Sequence, residues 1–477
     1  MTKLLFFLLI VVQSAFAGVE RIPYPYYFES PDNQNSIMHL ARGEESFKAR
    51  VDIIRKAKRH IEVEYYIFAR DLTGKILLNE LKEAAGRGVK VRILLDKLMS
   101  LSAIRSYYAQ ELIKAGVMVK YYNNSSLAAL SSVQYRSHRK LLSADDEVAI
   151  TGGRNIGDEY FNLSTHLNYD DRDALVKGAV VKTMRETFDA YYEDKISEAP
   201  KLSKKTNPKQ IKKAQDFFLL SKEEETIKEK IFDIGERQLS EKKLYDCPLM
   251  TFASDSPGGT LWRSGKNYAK EHRFLGDVLD YKVSQVDKAL MISSPYFITN
   301  KRSRKVLNNL LKNKVTINVH TNSLGSTDAI YMSANLYLHL RGWVKKGVKF
   351  HLHDGAWSED ESSEERINNS KRWGTHAKTQ IYETSKYSEV MIGTFNLDNR
   401  SYDYNTEMAV FCRGNNEFTQ EVKDDMEMKS KNGIEVKKDG SARDRFGFKK
   451  NVTGAKTEDV VKMNLITFPS WLIDFLL

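Results

Sequence analysis

Along the first half of the chain, apolar residues fall at helical spacing at Phe47, Val51 and Ile54, then alternate with polar ones over residues 61–68. A change of period from about 3.6 to 2 predicts a helix followed by a strand. Ile76, Leu77 and Leu81 mark a second helix that begins near Gly74, residues 89–95 a second strand, and 116–122 a third strand after another helical stretch. The second half repeats this order, with helices over 274–286, 305–311 and about 328–345 preceding strands over 289–298, 315–320 and 347–353. Strands alternating with helices of this length build β-α-β units, whose mixed or parallel sheets are covered by helices on both faces. One such order written twice predicts a duplicated α/β fold, two tandem α/β/α repeats.

The remaining stretches delimit these repeats. Lys3, an apolar run over 4–12 and the small residues Ala15 and Ala17 form a secretory signal peptide over 1–17. Its nine apolar residues are too few to cross a bilayer, which takes roughly 20. The first repeat is expected over 18–196, a charged, partly helical and exposed linker over 197–245, and the second repeat over 246–428. A tail over 429–477 starts loop-like and mixed in charge and ends in an apolar stretch, expected to dock on the body of the protein rather than dip into a membrane interface. The chain is therefore expected to be exported, periplasmic or secreted, with membrane association left open.

Of 477 residues, 29% are charged and the net charge is +11, which favours polyanionic partners. Nucleic acid, an anionic membrane and phosphorylated small molecules are not separated by charge alone. Cys247 and Cys412 are the only cysteines. An oxidising compartment permits them to pair, while a buried thiol is the commoner explanation for Cys412 in its strand-like stretch.

Each repeat runs into the same chemical pattern. The first reads Ser137-His138-Arg139-Lys140, then Gly152-Gly153-Arg154-Asn155, then Asp171-Arg172-Asp173 opening an apolar stretch. The second reads Thr375-His376-Ala377-Lys378, then Gly393-Thr394-Phe395-Asn396, then Glu407 before another apolar stretch. Residues two apart on a strand share a face, so each histidine points with its lysine. Brought together, two imidazoles, two ammonium groups and the amides of Asn155 and Asn396 suit one tetrahedral phosphate. The lysines and asparagines would stabilise its charge, one histidine would attack phosphorus, and the other would protonate the leaving alcohol. Asp173 and Glu407 are expected to hold the far ring nitrogen of the histidine of their own repeat. This toolkit calls for no cofactor and no metal. His351 and His353 share a strand face without an apparent third ligand and are read as structural, and Gly152 to Gly157 lacks the Lys-Ser/Thr of a nucleotide-binding loop.

The two copies resemble the HKD motifs of the phospholipase D superfamily, over nearly the whole mature chain. The stretches Gly152-Gly-Arg-Asn-Ile-Gly-Asp-Glu-Tyr-Phe161, Ser294-Pro-Tyr-Phe297, Thr321-Asn-Ser-Leu324 and Gly393-Thr-Phe-Asn-Leu-Asp-Asn-Arg-Ser401 are similar to those of bacterial cardiolipin synthases. The resemblance implies two repeats packed face to face around one active site and a phosphatidyl-enzyme intermediate on histidine. His138 would be the nucleophile and His376 the acid/base. The implied partner is a membrane phospholipid, with no obligate protein partner; nucleic acid belongs to the alternative, a secreted endonuclease of the same superfamily. The family has Asp after the four residues that follow the motif's lysine. Asp145 obeys this pattern in the first copy, but the second has Glu383 there, and Lys378 to Asn396 spans 18 residues against 15 from Lys140 to Asn155. Both acids are expected to satisfy turn amides rather than touch substrate.

Overall fold

In the computed structural model the helix Gly43–Lys56 buries Phe47, Val51 and Ile54, with Glu44 and Glu45 in its first turn and Arg55 and Lys56 in its last, signs that suit the helix dipole. It leads into a nine-stranded sheet. From edge to edge the strands are Ser197–Glu198, Met118–Tyr122, Lys90–Asp96, His60–Tyr65, Leu141–Ala144, Val148–Gly152, Asp173–Gly178, Asn35–Leu40 and Tyr245–Asp246. The strands Met118–Tyr122, Lys90–Asp96 and His60–Tyr65 pair in parallel, and the others antiparallel. The structure describes residues 26–31, 34–100, 106–123, 135–202, 207–258, 273–356, 367, 370–444 and 446–463. The expected signal peptide and the apolar end over 465–477 lie outside them.

The second repeat builds the same order within an eleven-stranded sheet. Lys349–His353, Thr316–Asn322 and Ala289–Ser293 are parallel, followed by the antiparallel Thr379–Glu383, Ser388–Gly393, Met408–Arg413 and Leu249–Ser254. Ala289–Ser293 is shorter than the expected 289–298 because Pro295 has no N–H to give to a ladder. The tail is less loop-like than expected, since Ile434–Val436, Ala442–Arg443 and Lys449–Lys450 extend the sheet edge. The linker is mostly exposed but carries a buried stripe. Its helix Lys222–Ser240 buries Ile231, Ile234 and Gly235, and a Cβ on Gly235 would stand 2.5 Å from the Glu44 carbonyl oxygen. Two helices thus cross at backbone contact along this stripe, while most of the linker's described residues are exposed.

The repeats meet through a shared apolar layer. Leu94, Leu141 and Ala174 of the first sheet share one cluster with Phe252, Met291 and Val410 of the second, and with Phe188 and Phe418 of the helices Val180–Glu193 and Asn416–Lys431. Buried arginines of the first repeat cross into the second: Arg139 donates to Ser254 Oγ, and Arg172 donates to Ser293 Oγ and pairs with Asp425. Among the described residues no helix is long and apolar enough to cross a membrane.

Cys247 and Cys412 form a disulfide, so the buried-thiol reading of Cys412 is corrected. Their separation of 165 residues hid a Cα–Cα distance of 5.6 Å, set by pairing of Leu249–Ser254 with Met408–Arg413. Cys247 follows Tyr245–Asp246 of the first sheet, so the bridge pins the crossing between sheets. Reduction, or Cys412→Ser, is expected to cost about 2–4 kcal/mol, read as a lower urea midpoint; an unchanged midpoint would remove the bridge from the stability of the fold.

Candidate active site

The two His-x-Lys segments enter the strands Leu141–Ala144 and Thr379–Glu383, and each is held on its approach by the opposite repeat. Ser137 bridges Thr406 in parallel, Thr406 N–H donates to the Arg136 carbonyl at 2.9 Å, and His138 N–H donates to the Thr406 carbonyl at 2.9 Å. The second copy repeats this with the halves exchanged. Arg372–Thr375 pairs in parallel with Leu167–Asp170, and His376 N–H donates to the Asp170 carbonyl at 2.7 Å. In each case the next residue is an acid. His138 Nδ1 lies 2.9 Å from Glu407 Oε2, and His376 Nδ1 lies 2.7 Å from Asp171 Oδ2. A carboxylate there selects the tautomer with its proton on Nδ1 and leaves Nε2 for chemistry.

Two expectations are thereby corrected. The acids are exchanged between repeats, and in the first repeat the acid is Asp171, not Asp173. Asp173 lies opposite Gly152 in the ladder, whereas the residue opposite Gly393 is Ala409, two beyond Glu407. Counting along the ladder from the glycines therefore aligns Glu407 with Asp171, a register that strand pairing sets and sequence spacing does not show. Asp173 hydrogen-bonds neither histidine and instead accepts from Ser46 at 2.6 Å, Arg50 at 2.9 Å and Arg154 at 3.3 Å. The longer Glu407 lies past Thr394, whose hydroxyl donates to it, and also accepts from Ser401 Oγ at 2.8 Å. The shorter Asp171 comes so near Gly153 that a Cβ there would stand 1.9 Å from its Oδ1. Thr394, Ser401 and Asp255, which accepts the Glu407 N–H at 2.9 Å, were not foreseen as parts of the site.

The four basic groups are buried and act on one another. Lys140 Nζ donates to the His138 carbonyl at 2.7 Å, and Lys378 Nζ lies 2.7 and 3.0 Å from the ring nitrogens of His376. Burial, then the charge of Lys378, lowers the Lys140 ammonium to about 7. Burial lowers Lys378 to about 8, against the opposing pull of Asp171 and Glu407. Burial and the neighbouring ammonium groups of both repeats also hold His138 and His376 below the usual imidazole range. Burial raises the Glu407 carboxyl to about 7 even beside Lys140. Such a site is short of negative charge, the condition for holding a phosphodiester. Asn396 Oδ1 is buried with no partner among the described residues, an amide that rotation presents to a ligand as either N–H or C=O, while Asn155 Oδ1 accepts from Ile67 N–H at 3.3 Å. The rings of Tyr66 and of Tyr160 and Tyr169 wall His138 and His376, respectively.

Asp145 satisfies backbone amides at a turn as expected, whereas the same expectation for Glu383 is corrected. Asp145 accepts the backbone N–H groups of Lys58 and Arg59 at 2.7 Å and of His60 at 2.9 Å. Glu383 pairs with Lys423 at 2.5 Å, and in its hairpin it is Asp287 that accepts the Ser385 N–H. His353 supports the site, with Nε2 at 3.3 Å from Asp170 Oδ2 and Lys429 on the other oxygen at 2.7 Å.

Comparison with known proteins places the chain in a family. The family model described as "Cardiolipin synthase, PLD-like domain" matches residues 51–192 and 282–429. Cardiolipin synthase C of Escherichia coli is 25% identical over 402 residues, covering 79% of this chain and 81% of that protein. An uncharacterized protein of Helicobacter pylori is 29% identical over 416 residues, covering 80% and 76%. The crystal structure of phosphatidylserine synthase from Haemophilus influenzae superposes with a TM-score of 0.62 at 14% identity, over 94% of this chain and 97% of that one.

The exchanged acids make a prediction. Asp171→Asn is expected to abolish the downfield Nδ1 proton resonance of His376 and Glu407→Gln that of His138, each lowering turnover by about a hundredfold or more. Asp173→Asn should instead lower the unfolding midpoint, because Arg50 and Arg154 lose a buried anion, and leave both resonances in place. Loss of the His138 resonance in Asp173→Asn would sink the exchange.

Proposed function

The chain is an enzyme of the phospholipase D-like family of cardiolipin synthases, and on that premise we propose that it is a phosphatidyltransferase acting through a phospho-histidine intermediate. The observation that supports this reading most is the pair of exchanged His-carboxylate contacts, which set both histidines and both lysines around one buried, anion-poor site. His138 Nε2 forms a bond to phosphorus as the bond from phosphorus to the headgroup alcohol breaks, and His376 Nε2–H gives that alcohol its proton. An incoming hydroxyl then gives its proton to His376 and attacks phosphorus, the P–N bond breaks, and His138 is regenerated. Lys140, Lys378 and the amides of Asn155 and Asn396 hold the non-bridging oxygens throughout. With phosphatidylglycerol as both donor and acceptor the products are cardiolipin and glycerol; with water as acceptor the product is phosphatidic acid. The disulfide fits an exported protein working in an oxidising compartment.

Purified protein given phosphatidylglycerol, with plasmid DNA in a parallel reaction, is expected to form cardiolipin and to leave the plasmid unnicked, and His138→Ala to form neither product nor covalent adduct. Nicking without lipid turnover would replace this reading with the endonuclease one. The lysines fix the pH dependence. An ammonium is charged below its pKa and neutral above it, so kcat/KM should fall on the alkaline side as Lys140 and then Lys378 lose protons at about 7 and about 8. Lys140→Arg, which stays charged, should move that limb upward whatever it costs in rate; a limb that does not move would assign it to another group.

A further inference from the structure

The outer edge of the second sheet ends in a hairpin that the site does not use. Ala442–Arg443 pairs with Lys449–Lys450, and the turn between them is built on Asp444. The Asp444 carboxylate accepts the N–H groups of Phe446 at 3.0 Å and Phe448 at 2.9 Å, and its own N–H donates to the Phe448 carbonyl at 3.0 Å. Gly447, at φ 85°, supplies the left-handed turn, and Arg443 donates to its carbonyl at 2.8 Å. This ordered turn holds Phe446 and Phe448 in solvent, 68% and 69% exposed. Aromatic side chains of this size are seldom presented to water on a braced turn without a use. Around them residues 435–450 carry six lysines and arginines against three acids.

The turn also faces the right way. Lys349–His353 runs parallel to Thr316–Asn322, which ends where the Asn322 side chain donates to the Thr375 carbonyl at 2.8 Å, next to His376. Ile434–Val436 runs back from that end, Ala442–Arg443 returns towards it, and the turn over 444–448 therefore lies at the end of the sheet that carries the site. Four to five strand spacings, about 19–24 Å, separate it from Ala289–Ser293 at the sheet centre. The chain beyond the hairpin returns to the same end. Gly325 N–H donates to the Thr453 carbonyl at 3.0 Å, and Met463 is buried with Leu324 and Ala334, one residue beyond the Asn322–Ser323 pair.

We propose that this hairpin docks the protein on an anionic phospholipid surface, with Phe446 and Phe448 entering the interface and Arg443, Lys449 and Lys450 resting on the headgroups. Apolar rings reaching a few ångströms below a basic girdle is the chemistry of an interfacial anchor, and the bilayer supplies both the apolar phase and the negative charge. The purpose of the docking rests on the phosphatidyltransfer reading, because a surface-bound enzyme meets its substrate headgroups at the sheet end that bears His138 and His376.

The test is vesicle sedimentation of the full chain with phosphatidylcholine vesicles, with and without phosphatidylglycerol. Wild-type protein should bind only the anionic vesicles, and Phe446→Ser/Phe448→Ser should lower the partition coefficient about tenfold or more. Lys449→Glu/Lys450→Glu should lower it as well and flatten its salt dependence. Both variants should turn over monomeric short-chain phosphatidylglycerol at the wild-type rate, which also reports that they are folded. Undiminished vesicle binding by the phenylalanine variant would overturn the proposal, as would loss of binding only on truncation after Met463. A change in self-association of that variant by light scattering, with vesicle binding intact, would assign the turn to a second copy of the chain and overturn it too. Vesicle binding by a protein that turns over no lipid would leave the docking in place and sink the phosphatidyltransfer reading instead.

Discussion

The backbone hydrogen bonds exchanged between the repeats, from His138 N–H to the Thr406 carbonyl and from His376 N–H to the Asp170 carbonyl, are the constraint on which the site depends. A histidine fixed at its own amide, with a carboxylate on Nδ1 from the next residue of the same facing segment, has little freedom left in its ring. That rigidity comes from the partner repeat, so neither half holds a usable histidine alone. The arginines that cross the interface, Arg139 and Arg172, stand beside the functional residues in sequence, between His138 and Lys140 and between Asp171 and Asp173. Alternation along an extended segment turns one side chain to the site and the next to the interface. The same few residues therefore join the halves and equip the site.

Burial gives the site its electrostatic character. Taking two ammonium groups and two imidazoles out of water disfavours their charge, and mutual repulsion adds to the cost. Glu407 and Asp171 offset part of it, but Glu407 itself is held high by burial. On the proposed reading, an entering phosphodiester would supply the missing anion and raise the pKa values of the lysines around it. Charge that is expensive in a site without substrate would then become favourable at the reacting phosphorus, the differential that accelerates a reaction.

Much of this was legible in the chain. The doubled order of helices and strands is a local property of apolar spacing, and His138, Lys140, His376 and Lys378 follow from a motif and its repetition. The exchange of acids was not legible, because hydrogen bonds between segments about 200 or more residues apart leave no trace in local periodicity. The choice of Asp173 over Asp171 failed for a related reason. Both acids precede an apolar strand, and only the ladder register from Gly152 and Gly393 separates them. The disulfide was hidden in the same way, since its closure depends on which strands become neighbours. The linker's buried stripe shows the limit of charge as a guide: a Lys/Glu-rich helix needs only a few positions, here Ile231, Ile234 and Gly235, to find a partner.

The unequal acids, Asp171 against Gly153 and Glu407 against Thr394, acquire a meaning when the molecule is viewed as a pseudo-twofold object. Two separate identical chains meeting in this way would form an isologous contact, in which every substitution appears twice and the two histidines stay equivalent. Covalent fusion lifts that restriction. Each half can then drift alone, which leaves room for the division of labour proposed for the two imidazoles and makes it heritable. The threonine hydroxyl that only one half can accommodate is a visible instance of that broken symmetry.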